Sequence, residues 1–356
     1  MPERGVIGWD IGGAHVKAAL WRDGAVVDAA QWPCALWQGL DRLEAALALA
    51  RSRWPGLDAQ AHAVTMTGEM VDLFAHREDG VQRIAALLDT ALPTPRFFAG
   101  DDAWPDAHEA GALWERIASA NWLATAQHAA RSLPQREGLL VDVGSTTTDL
   151  IAFRRGRVIT ASRSDAQRLQ TGELVYHGVV RTPLCALARR IAWKGALLNV
   201  MNEFFATTAD VYRLLGELDP AHDQHPSADN AAKHLRHTRA RLARMIGLDE
   251  RDGSEAQWHA FARAWREAQR AELSGQLEQV AALHDLARDA TLVAAGCGAF
   301  LAPELLRAGW SLATYGRDVA RIAPSAGAEV ASWAQVGAPA VAVASLYADR
   351  LSEDAA

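Results

Sequence analysis

Two short segments carry the residue types from which a phosphate-holding site can be built. Asp10-Ile11-Gly12-Gly13 and Asp142-Val143-Gly144-Ser145 each place a carboxylate and a glycine turn at the end of an apolar run, residues 6–9 and 138–141. A glycine turn aims successive backbone N–H groups at one point and lets an anion approach without a Cβ in the way. A carboxylate at a strand end suits Mg²⁺, which prefers oxygen ligands and retains waters. Either turn alone is equally well read as a hairpin connection. Asp10 and Asp142 are thus candidate metal-side carboxylates, with Gly12, Gly13, Gly144, Ser145 and Thr146 as the cradle of an anion. Lys17 either reaches a phosphate oxygen as a point charge or faces solvent.

The elements that must hold these turns repeat. Strands are expected at 6–9, 15–20 and 25–30, with Arg22-Asp23-Gly24 turning the last pair. The pattern restarts with strands at 138–141, 146–153 and 157–160, and Arg154-Arg155-Gly156 takes the place of the earlier turn. This repeat, offset by about 130 residues, is the main organisational signal of the chain. Between the copies come a helix at 40–50, a strand at 61–66 ending in Thr67-Gly68-Glu69, and a helix at 80–88. A short strand at 96–99 before Gly100-Asp101-Asp102 and a helix at 118–131 follow. Residues 185–285 read as a charged, helical insertion, with Asn202, Glu203 and Asp210 on one of its helices. A strand at 290–295 then ends in Gly296-Cys297-Gly298, and a last helix covers 338–351. The expected division is a first subdomain at 1–135, a second at 136–335, and a C-terminal helix at 336–356 returning to the first.

Composition narrows the class. The chain has 356 residues, enough for about two domains, and half of them are apolar. Thirty-six basic against 43 acidic residues give a net charge of −7, which argues against nucleic acid as a partner. The 3 cysteines are scattered without a CxxC spacing, so neither a zinc site nor a disulfide framework is indicated. No secretory leader and no apolar stretch of about 18 residues is read, so a cytoplasmic protein without a membrane partner is expected.

Two Asp-Gly turns in matching places of a repeat, joined by a third glycine turn, resemble the actin/hexokinase/Hsp70 superfamily. The resemblance implies an α/β fold of duplicated ribonuclease-H-like domains with a cleft between them. It further implies that Asp10 to Gly13 form the first phosphate loop and Asp142 to Thr147 the second, so that Thr147 joins the cradle. Gly296 and Gly298 would face a nucleoside.

The second loop, Asp142-Val143-Gly144-Ser145-Thr146-Thr147-Thr148-Asp149, is similar to that of the hydantoinase A/oxoprolinase family, with Ser145 where glycine is usual. Trp9-Asp10-Ile11-Gly12-Gly13-Ala14-His15, Met66-Thr67-Gly68-Glu69-Met70, Ser119-Ala120-Asn121-Trp122, Gly172-Glu173-Leu174-Val175-Tyr176 and Arg181-Thr182-Pro183 resemble a smaller branch. That branch is linked to tetrahydromethanopterin-dependent one-carbon pathways and is similar to archaeal proteins that build the phenoxymethylfuran core of methanofuran. The resemblance implies a transferase that joins an aminomethylfuran-methyl diphosphate to the phenol of γ-glutamyl-tyramine or a tyrosine analogue. Mg²⁺ would assist diphosphate release, and ATP, though compatible with the fold, is not required. Asp10, Lys17, Asp142 and Asp149 are the candidate catalytic groups; Asp149 serves either as base or as a hydrogen-bond partner of the threonine loop. Arg168, Glu173, Tyr176 and Arg181 are candidate substrate-side residues, with ordinary structural roles as the alternative. The competing functions are an ATP-dependent kinase, a hydantoinase-like amidohydrolase, and a non-catalytic nucleotide-binding subunit. A homo-oligomer is left open.

Overall fold

The computed structural model of the chain describes residues 5–100 and 103–354. Asp101 and Asp102, expected in the turn after Gly100, lie outside the described residues. The chain forms two compact units, one of residues 1–140, 151–168 and 313–356, the other of residues 141–150 and 169–312.

The first unit is built on β1 (Val6–Ile11), β2 (His15–Arg22), β3 (Ala25–Pro33), β4 (Ala61–Met66) and β5 (Arg96–Phe97), in the order β3-β2-β1-β4-β5. β1 pairs antiparallel with β2 and parallel with β4. That central place explains its unbroken burial and its apolar run, since both faces are covered. Ile7, Trp9 and Ile11 share a core with Val64 and Met66 of β4, with Leu43 and Leu47 of the helix Asp41–Arg53, and with Val81, Ile84 and Leu88 of the helix Arg77–Ala91. Each such side chain contributes about 1.5–3 kcal/mol relative to exposure. Gly8 and Asp10 alternate with these residues and point to the opposite face of the sheet. There the helix Ala338–Asp354 packs on β1 and β2. Only glycine fits at position 8: a Cβ would lie 2.0 Å from the Ala340 carbonyl oxygen and 2.8 Å from the Ala344 nitrogen.

A second sheet is made of β6 (Glu137–Val143), β7 (Thr148–Arg154) and β8 (Arg157–Val158), extended by β12 (Thr291–Ala295) and β13 (Ser311–Thr314). Its order is β13-β12-β6-β7-β8, with the short β9 (Leu174–Val175) pairing with β7 off that path. Taken from the other edge, this is the five-place order of the first sheet. The hairpin turns repeat as well: Asp23 and Gly24 have φ of 53° and 76°, Arg155 and Gly156 of 50° and 76°. Both residues on the left-handed side give the turn whose twist matches a two-residue hairpin. This is the duplicated α/β fold expected from the repeat.

The insertion in the second unit is not wholly helical. β10 (Arg190–Trp193) and β11 (Ala196–Asn199) form an antiparallel hairpin across Lys194 and Gly195, again with positive φ. Trp193 stacks on Trp258 at 4.3 Å between ring centroids, and both join Phe261 and Trp265 of the long helix Glu255–Leu283 in a separate core. Asn202 and Glu203 lie in irregular chain after this hairpin, not on a helix, because the backbone turns to bring the Met201 N–H to the Met245 carbonyl. Asp210 is on the helix Thr208–Leu215, buried and bound by Arg213 and Arg241 at 2.7 and 2.8 Å. Among the described residues no single helix is long and apolar enough to cross a membrane; Glu329–Val336 and Ala338–Asp354 pass only together, bent by 92°.

Candidate functional site

The first glycine turn closes with a bond from the Gly12 N–H to the His15 carbonyl, 2.9 Å. At its base the Thr67 N–H donates to the Ile11 carbonyl at 3.0 Å, so the turn after β4 is stitched to the turn after β1. Asp10 and Lys17 are cross-strand partners, and their side chains pair at 3.3 Å. Asp10 is only 3% exposed, and its Oδ1 is sealed from water without a hydrogen-bond partner. Burial raises the Asp10 pKa above the ordinary carboxylate range, with Lys17 opposing the shift. A sealed, unsatisfied carboxylate oxygen is costly unless something else binds it. Its chemistry fits a hard cation, and Mg²⁺ needs few protein ligands because it keeps its waters.

Beside this turn lies a buried ionic network within the same unit. Glu69 is 1% exposed, and Ser119 donates to its Oε1 at 2.8 Å. Arg77 donates to Ser119 at 2.9 Å and lies 3.4 Å from Glu69 and 3.5 Å from Asp165. Arg168 is buried, paired with Asp165 at 2.8 Å and set over the Trp122 ring at 4.6 Å. Burial raises the Glu69 pKa, against the hydrogen bond from Ser119. Ser119 has φ of 50°, a left-handed conformation rare for serine, which brings its hydroxyl between the glutamate and the arginine.

The second turn repeats the backbone of the first. The Gly144 N–H donates to the Thr147 carbonyl at 2.8 Å, and the Gly298 N–H to the Val143 carbonyl at 2.8 Å. Gly296 has φ of 83°, and a Cβ there would lie 2.2 Å from the Val143 carbonyl oxygen and 2.5 Å from Asp142 Oδ1. The third glycine turn therefore packs directly against the second. From the other direction the chain 178–181 clamps it: Val179 donates to the Gly144 carbonyl, and Val180 and Arg181 both donate to that of Ser145. Arg181 Nη1 stands 3.5 Å from the Thr146 hydroxyl. Burial lowers the Arg181 pKa, with Tyr176 opposing. Among the described residues the backbone N–H groups of Ser145 and Thr146 have no acceptor, so two donors, two hydroxyls and a guanidinium meet at one turn.

The remaining candidates divide by environment. Asp142 is half-buried at the end of β6, and Asp149 is buried on β7 opposite Leu174. Tyr176 is exposed. Glu173 is fully buried, taking the Thr171 hydroxyl and the His284 Nε2 at 2.8 Å each. Arg168 and Glu173 are thus held by partners of their own, whereas Arg181 stands at the second turn and Tyr176 is exposed. Glu69 was not among the candidate residues of the sequence. It lies in the Met66-Thr67-Gly68-Glu69-Met70 segment that carries the family resemblance, but its partners come from positions 77 and 119.

Residues 60–350 match the hydantoinase/oxoprolinase family model. Over 246 residues the chain is 31% identical to the (4-{4-[2-(γ-L-glutamylamino)ethyl]phenoxymethyl}furan-2-yl)methanamine synthase of Methanocaldococcus jannaschii, covering 68% of this chain and 72% of that one. It is 33% identical over 111 residues to the synthase of the same name from Methanococcus vannielii, covering 31% of this chain and 50% of that one. A nucleotide-free acetone carboxylase structure superposes with a TM-score of 0.54 at 11% identity, over 83% of this chain and 66% of that chain, a likeness of fold alone. With the family model spanning both glycine turns after the first and the network around Glu69, the chain belongs to the hydantoinase/oxoprolinase family.

Proposed function

We propose that this protein is a transferase of methanofuran-type cofactor biosynthesis, joining an aminomethylfuran-methyl diphosphate to the phenol of γ-glutamyl-tyramine or a tyrosine analogue. The observation that carries the reading is the second turn, where unpaired backbone donors, the Ser145 and Thr146 hydroxyls and Arg181 converge. The names of the methanocaldococcal and methanococcal relatives supply the substrate class.

In this reading the furfuryl C–O bond breaks, the phenol oxygen forms the new bond to that carbon, and diphosphate departs with the electron pair. The phenol proton passes to a base, for which Asp149 is the candidate. Donors at the second turn meet the charge that grows on the diphosphate, and an arginine fork matches its oxygens. The phenol, with a reference pKa of about 10, reacts faster as its proton is withdrawn. Asp10 in the first turn, through its unsatisfied Oδ1, is a carboxylate that would hold Mg²⁺, and Asp142 in the second turn is the other candidate. Bound Mg²⁺ would neutralise leaving-group charge. Lys17 holds the Asp10 carboxylate in place from the neighbouring strand.

Ligand-induced stabilisation tests the reading. Whatever binds the folded state preferentially raises its melting temperature. With Mg²⁺ present, inorganic diphosphate should raise Tm more than ATP does, and Arg181→Met should remove most of that rise. A larger shift with ATP, retained in Arg181→Met, would favour a nucleotide enzyme instead.

A further inference from the structure

The glycine turns are not the only place where this chain can receive an anion. At the opposite end of the first sheet, the start of β1 and the end of β2 border a cavity of about 490 Å³. Four residues of strand, about 13 Å, separate Val6 at this cavity from Asp10. The volume falls in the range of small-molecule sites. Three guanidiniums line it: Arg22 from the last position of β2, Arg131 from the end of the helix Asn121–Ser132, and Arg321. Ser345 and Ser352, about two turns apart on the helix Ala338–Asp354, add hydroxyls to the same wall.

Each arginine has a different explanation within the fold. Arg131 sits in the last turn of its helix, where a cation answers the helix dipole. Arg321 and Arg131 both lie near enough to Asp349 to oppose the burial that raises its pKa. Arg22 has no such partner: its Nε–H is sealed from water without an acceptor. A partly desolvated guanidinium with an unsatisfied N–H binds an oxyanion more strongly than one free in water. Trp21, with its edge toward His128, and Leu351 give the cavity an apolar side. Asp23, at the exposed tip of the β2–β3 turn, and Asp349 are the acidic groups on the rim, against the three guanidiniums.

We infer that this cavity is a second anion site, separate from the glycine turns, which takes a small molecule bearing a phosphate or carboxylate group through Arg22 and Arg321. The shared chemistry is an oxyanion; a phosphorylated metabolite and a polycarboxylate are its two sources.

The test is calorimetric titration of the full chain at low salt with inorganic phosphate and, separately, with citrate. Saturable binding of at least one probe is expected, and the tighter of the two identifies the source. Arg22→Gln and Arg321→Gln should each weaken it about tenfold, the loss of one charge-assisted fork, while Arg181→Met leaves it unchanged. Arg321 is exposed, so its variant keeps the test valid even where Arg22→Gln fails to fold. Absence of binding by both probes, binding undiminished in Arg321→Gln, or binding abolished by Arg181→Met would each overturn the inference.

Discussion

The two glycine turns share a backbone and differ in what they offer. In each, a glycine N–H closes the turn onto a carbonyl three residues on, and a residue after a later strand donates to the carbonyl just before the glycine. The first turn, Ile11-Gly12-Gly13-Ala14, has no hydroxyl of its own but follows a buried carboxylate with an unsatisfied oxygen and a lysine partner. The second is rich in hydroxyls and free N–H groups, has a half-buried aspartate, and is clamped under Arg181. Duplication thus preserved the hydrogen-bond pattern while the side chains diverged. In the proposed reading the first turn serves a cation and the second an anion.

The sharpest way to break that division is to neutralise the two aspartates in turn. Asp142→Asn and Asp10→Asn should each lower turnover by about 100-fold or more, with far-UV circular dichroism unchanged. They should differ in stability. The folded-state pKa of Asp10 is raised by burial, so as pH rises the unfolded chain loses its proton first and the folded state loses stability. Asparagine removes that loss, and Asp10→Asn should raise Tm in metal-free buffer at neutral pH but not at a pH below the ordinary aspartate range. A Tm that falls at neutral pH would contradict a strained, cation-seeking Asp10.

Packing behind the second turn gives the next effect. Gly296→Ala forces a Cβ into the Val143 carbonyl at a positive φ and should cost about 3 kcal/mol or more in urea unfolding. Arg181→Met should raise KM for the diphosphate substrate about tenfold with a smaller change in kcat, whereas Lys17→Met should act mainly on kcat. The smallest contrast compares the turns themselves. A Cβ on Gly12 would lie 2.9 Å from the His15 carbonyl oxygen, and one on Gly144 3.3 Å from that of Thr147. Gly12→Ala should therefore destabilise more than Gly144→Ala, by about 1 kcal/mol.

Much of this frame is legible in the residues. Asp23-Gly24 and Arg155-Gly156 mark matching hairpins because only a few residue types adopt positive φ cheaply. The apolar runs before Asp10 and Asp142 mark central strands buried on both faces. The hairpin at 190–199 was hidden among charged residues expected to be helical, although Lys194-Gly195 carried the same turn signal. The state of each carboxylate was not legible at all. Glu173 looks like a site residue until His284, 111 positions away, is seen to hold it, and Glu69 looks like a turn residue until Ser119 and Arg77 surround it. Such environments are made by tertiary contacts, which local pattern does not encode.

The central claim is that the turns serve diphosphate displacement. It is tested most directly by incubating the protein with Mg²⁺, the aminomethylfuran-methyl diphosphate and γ-glutamyl-tyramine, without ATP, while following diphosphate release and the aryl ether by mass spectrometry. The expected result is equimolar ether and diphosphate, lost in Asp142→Asn. ADP formation from added ATP, with no ether under either condition, would contradict it.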